Sequence, residues 1–77
     1  MSISEAVFAV VGDILACDRE SLRADQHLFR DLRMDSDDAS FMLVPMLRSR
    51  LGIDVPREAW REVNTIQEVI DLLARHE

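Results

Sequence analysis

Apolar residues recur at helical spacing in three stretches of the chain. Ile3, Val7, Val10, Val11, Ile14 and Leu15 fall at i, i+4, i+7, i+8, i+11 and i+12, the stripe of one helix over about residues 3–16. Ser2, with Glu5 three residues later, makes a capping box at its start, and Gly12 is a weak point inside it. Leu43, Val44, Leu47 and Leu51 mark one face of a second helix over about 36–51, ended by Gly52. Ile66, Val69, Ile70 and Leu73 repeat the pattern in a last helix over 65–75, opened by a second capping box of Thr65 and Glu68. Before it, Pro56 fits the first position of a short helix over about 56–62.

Residues 17–34 carry no sustained period and much charge, which predicts a long, mostly irregular connection. Leu22, Leu28, Phe29 and Leu32 can anchor it by packing inward. No segment alternates as a strand does. The expected fold is all-α: a small four-helix bundle with three main helices and one short one.

Size and charge narrow the function. Seventy-seven residues (1–77) make a single domain with a thin core, poorly suited to a deep catalytic cavity. The net charge is −6 and every basic residue is an arginine, so a phosphate backbone is repelled and nucleic acid is excluded as a partner. Partners with basic surfaces fit better, through salt-sensitive steering. Cys17 is the one cysteine, and His27 and His76 lie far apart, so neither a disulfide nor a metal site is expected. No apolar run approaches the ~18 residues of a membrane span and no signal pattern opens the chain, so a cytoplasmic monomer is expected. No His–carboxylate–nucleophile spacing and no phosphate-cradling glycine loop is present, and the expectation is a protein with no catalytic residues of its own.

The chemistry-bearing pattern is Asp25, Leu28, Phe29, Asp31 and Leu32, followed by Asp35-Ser36. It resembles the acyl carrier protein family, in which a leucine four residues before the modified serine and an aspartate just before it form the attachment motif. Downstream, Gly52-Ile53-Asp54-Val55-Pro56 resembles that family's exit from its second helix, and Val63 to Asp71 resembles its last helix. The likeness spans nearly the whole chain. It implies that a phosphopantetheinyl transferase joins a 4′-phosphopantetheine arm from coenzyme A to Ser36, beside Asp35. It also implies that acyl-loading and acyl-processing enzymes then use the arm's thiol to carry an acyl group as a thioester. A hydroxyl at a helix start suits this chemistry, because free amide N–H groups and the helix dipole favour a phosphodiester there. By itself Asp35-Ser36 reads more readily as an ordinary helix cap, and the flanking pattern is what turns the reading to attachment.

Three features depart from the family pattern: Arg33 stands where glycine is usual, Asp37 stands where leucine or methionine is usual, and Ser36 to Gly52 is one residue longer. The first two fit an unusual transferase, a dedicated partner enzyme, or a carrier that is never modified. The third combines with Pro45, which cannot donate to the Phe41 carbonyl and crowds it, at a cost of about 3 kcal/mol in a regular helix. One added residue turns the rest of an α-helix by about 100°. Either a bulge or kink around 38–45 absorbs it, or residues 36–39 stay irregular with Ser40 as the N-cap. The bulge is favoured, since Asp35 with Asp38 can cap a helix that starts at Ser36.

The second helix is acidic only in its first turn, at Asp35, Asp37 and Asp38; from Ala39 to Ile53 it has no acid, and it ends on Arg48 and Arg50. This points to partner surfaces unlike those of general fatty-acid synthesis, in a specialised fatty-acid or polyketide-type pathway. Asp37 and Asp38, with Phe41 and Met42, are the candidate partner-binding residues, although Phe41, Met42 and Met46 read more readily as core. Trp60 reads as a half-buried anchor. For a long acyl chain the expected lining is Val7, Val11, Phe29, Leu43, Met46, Leu47, Ile66 and Val69. The alternatives are an unmodified interaction module of the same fold and an aminoacyl or peptidyl carrier.

Overall fold

A computed structural model of the protein describes residues 2–77. Helix α1 (Ile3–Leu15) opens with the expected capping box: the Glu5 N–H donates to Ser2 Oγ at 3.1 Å and the Ser2 N–H to Glu5 Oε1 at 3.3 Å. The bond to Ser2 holds the Glu5 carboxyl below its ordinary pKa. Ala16 ends the helix in the left-handed region at φ 54°, one residue earlier than the periodicity suggests. Gly12 has a packing role beyond its low helix propensity. A Cβ built there would lie 3.0 Å from the Cys17 carbonyl oxygen, so the chain can fold back onto the helix only over a bare backbone.

Helix α2 runs through residues 36–51 and is not uniform. Ser36–Asp38 are α-helical, Ala39–Leu43 form a π turn in which the Val44 N–H donates to the Ala39 carbonyl, and Val44–Leu51 return to α. The i→i+5 turn takes up one residue beyond the α count. The added residue is thus absorbed where the Pro45 argument requires it. Pro45 falls in the first turn of the restored α segment, where a missing N–H is tolerated. Gly52 closes the helix at φ 66°.

The segment after Pro56 is a 3₁₀ helix, Arg57–Glu62, with Pro56 at its N-cap and not at its first helical position. Helix α3 (Ile66–Arg75) begins at the second predicted capping box. All its first-turn donors are used. Ile66 and Gln67 give their N–H groups to the Gln26 and Ala24 carbonyls, Glu68 to Thr65 Oγ1, and Val69 to the Thr65 carbonyl. The Leu28 N–H in turn reaches the Asn64 carbonyl at 2.7 Å, and His27 forms an isolated bridge with Thr65. The long connection is therefore stitched along its middle to the start of α3.

The core is one cluster. Val7, Val10 and Val11 of α1, Leu43 and Leu47 of α2, and Ile66 and Val69 of α3 are almost fully buried within it. Leu22 and Leu28 anchor the connection as expected, and Leu32 is half-buried. Phe29 is an exception at 36% exposed, and Met34 is buried instead. The cause is a turn built on His27. Its N–H donates to Asp31 Oδ2 at 2.8 Å, and its Nδ1 accepts the N–H groups of Phe29 and Arg30. That turn sends Leu28 inward and Phe29 outward.

Phe41 and Met42 also leave the core, at 72% and 42% exposed, while Met46 is half-buried against it. In the wide turn Ala39 and Leu43 take the inner arc, so the residues between them ride the outer one.

Candidate functional site

Ser36 is the first residue of α2 and is exposed. Its backbone is reached through Arg33, whose φ of 58° is the left-handed conformation that favours glycine. That reversal lets the Met34 N–H bond the Leu28 carbonyl at 2.9 Å and buries the Met34 side chain. Chain direction at the site is thus set two residues ahead of Asp35, at the position where an arginine replaces the usual glycine.

The ordinary cap role does not apply to Ser36. Asp35 occupies the N-cap position, and its carboxylate makes no capping hydrogen bond; Asp38 does not complete a cap either. The hydroxyl of Ser36 has no hydrogen-bond partner among the described residues. The N–H groups of Ser36, Asp37 and Asp38 likewise have none there, the first helical bond being donated by Ala39 to the Asp35 carbonyl. A free hydroxyl therefore sits beside a row of free amide donors at the positive end of a helix dipole. This arrangement receives an oxyanion.

Beside Ser36 opens a groove of about 640 Å³, within the range of small-molecule sites. It lies between α2 and residues 53–64, with Leu28 and Phe29 of the connection and Leu73 of α3 completing its lining. Its apolar wall comes from Leu28, Leu43, Val44, Ile53, Val55 and Val63, with Phe29 and Trp60 also lining it. Of the lining expected from periodicity, only Phe29 and Leu43 face this groove. Val7, Val11, Leu47, Ile66 and Val69 close the core instead, because the helix faces that carry them are pressed together. Leu28 of the connection, Val44 beside Leu43 on α2 and Leu73 of α3 also line it unpredicted, and the other missed contributors, Ile53, Val55, Trp60 and Val63, lie after Gly52 in segments without an apolar period to mark them.

The remaining predicted residues stand close to Ser36 in the chain. Asp35, Asp37, Phe41 and Met42 are exposed and Asp38 is half-buried, all on the opening turns of α2. Trp60 is half-buried, as expected.

Comparison with known proteins bears on this site. Residues 5–73 match the family described as "Phosphopantetheine attachment site". The acyl carrier protein of Thermosynechococcus vestitus is 34% identical over 71 residues, covering 92% of this chain and 86% of that protein. A phosphopantetheine group fits the residues present: an exposed, unbonded serine hydroxyl, free amides for its phosphate, and an apolar groove for what it carries. When attached, the group supplies a flexible arm ending in a thiol that holds an acyl group as a thioester. The chain belongs to the acyl carrier protein family: it is a carrier and not an enzyme, its prosthetic group is a covalently bound 4′-phosphopantetheine, and it works with phosphopantetheinyl transferase and acyl-processing enzymes.

Proposed function

We propose that Ser36 is the sole attachment point of the arm, and that residues 1–77 act as one carrier unit in a specialised fatty-acid or polyketide-type pathway. The observation that carries the assignment is the unengaged Ser36 hydroxyl at the start of α2, among amides that have no other partner. These amides and the helix dipole hold the phosphate, and the groove beside Ser36 shelters the acyl chain. Asp35 stays exposed and uncommitted next to the serine, available to the transferase. Asp37, Asp38, Phe41 and Met42 form the surface that partner enzymes read: two acids for steering beside two exposed apolar side chains. The specialised pathway is supported by the lack of any acid from Ala39 to Ile53.

The test is incubation with coenzyme A and a promiscuous phosphopantetheinyl transferase, followed by intact-mass measurement. One phosphopantetheine per chain is expected, and none on Ser36→Ala. Modification that persists in that variant, for instance at Ser40, would overturn the assignment.

A further inference from the structure

A groove meant only for hydrocarbon needs only apolar walls, and this one contains more. The indole Nε1 of Trp60, a groove residue, is buried with no hydrogen-bond partner among the described residues. With no exposed surface of its own, that N–H is out of reach of anything lying in the groove, and polar recognition there falls to the arginines. Arg57 and Arg61, on the same 3₁₀ helix, line the groove too, and neither is ion-paired among the described residues. Arg48 also lines it and is held by Asp54 at 3.6 Å. The groove thus gathers three cations against one anion, in a chain whose net charge is −6.

We propose that this groove selects an acyl cargo bearing a carboxylate remote from its thioester. The carbon chain lies along Leu43, Val55 and Val63, and the carboxylate oxygens accept from the Arg57 or Arg61 guanidinium. Charge-assisted bonds of this kind are strong and directional, and a guanidinium fork matches a carboxylate. The phosphodiester of the arm is the other oxyanion nearby, but it has the free amides of α2, which leaves the arginines of the 3₁₀ helix for the cargo. The inference rests on attachment at Ser36 and deepens it by naming the cargo class.

The experiment loads the phosphopantetheinylated protein with octanoyl or with octanedioyl, an eight-carbon chain ending in a carboxylate. Intact mass confirms each species. Melting temperature and the emission of Trp60, the one tryptophan, are then compared. The octanedioyl form should melt at least about 4 °C above the octanoyl form, and only octanedioyl should change the Trp60 emission. In the double variant Arg57→Gln/Arg61→Gln the difference should vanish, with the octanoyl form unchanged. Equal or lower stability of the octanedioyl form would overturn the cargo class while leaving attachment intact. An equal destabilisation of the unloaded phosphopantetheinylated protein by the arginine changes would reassign those cations to the arm's phosphate and overturn it as well. Failure of Ser36 to take up the arm, read directly by mass, would remove both readings.

Discussion

The starts of α2 and α3 are built to opposite plans. At α3 every first-turn donor has a protein partner, the capping box is complete, and the preceding connection is bonded to it. At α2 no side chain caps the first turn, and three amide donors and a serine hydroxyl are unengaged among the described residues. The difference extends around each start. α3 buries Ile66 and Val69 completely, whereas α2 soon widens into a π turn that turns Phe41 and Met42 outward, and it is approached through a left-handed arginine. One start is scaffold. The other gives up local stability to keep hydrogen-bonding capacity and apolar surface available for an attached group and its enzymes.

The comparison is broken most directly by truncating one side chain at each start. Ile66→Ala should destabilise the fold by about 2–5 kcal/mol, since it removes a fully buried side chain between the helices. Phe41→Ala should stay within about 0.5 kcal/mol, as an exposed surface change. Urea denaturation measures both, and a large loss from Phe41→Ala would show that the outer arc of the π turn is packed after all.

A smaller effect separates the caps. Thr65→Ala should cost about 1 kcal/mol, because its hydroxyl accepts the Glu68 N–H at 3.1 Å. Asp35→Ala should cost only a few tenths, because its carboxylate makes no capping bond. Paired thermal melts test this, and equal losses would mean that Asp35 caps α2 in solution.

The smallest expected change is a gain. Arg33 holds φ 58°, a conformation that costs a residue with a Cβ about 1 kcal/mol or more. Glycine recovers that strain but gives part of it back through the freedom of the unfolded chain. Arg33→Gly should therefore raise stability by about 0.5 kcal/mol, or roughly 2–4 °C in melting temperature. A loss would show that the arginine side chain contributes more than its backbone strain removes.

Much of this design is written in local order. Both capping boxes follow from a serine or threonine three residues ahead of a glutamate, an interaction that needs no distant partner. The π turn is legible for a similar reason: a residue beyond the family spacing and a proline inside one helix leave few ways to keep Leu43 and Leu47 on the same buried face. The Asp35-Ser36 motif is legible as pattern, because its resemblance runs along the chain.

What periodicity does not contain is the distance between helices. Val7 and Leu47 lie on apolar stripes just as Leu43 does, yet only Leu43 faces the groove, because the groove opens between α2 and residues 53–64 while Val7 and Leu47 close the core. Ile53, Val55 and Trp60 line it from segments with no helical period of their own. His27 carried no signal as a turn residue; its imidazole closes the turn only once Leu28 is drawn inward and bonded to Asn64. The sequence by itself determined which residues form helices and where the two helices with capping boxes start, and it narrowed how α2 absorbs its added residue to two choices, since these depend on neighbours within a turn or two. Only the tertiary structure decided which apolar residues close the core and which line an open groove, since that depends on how α2 and the segment after Gly52, distant from the rest of the core in sequence, come together in space.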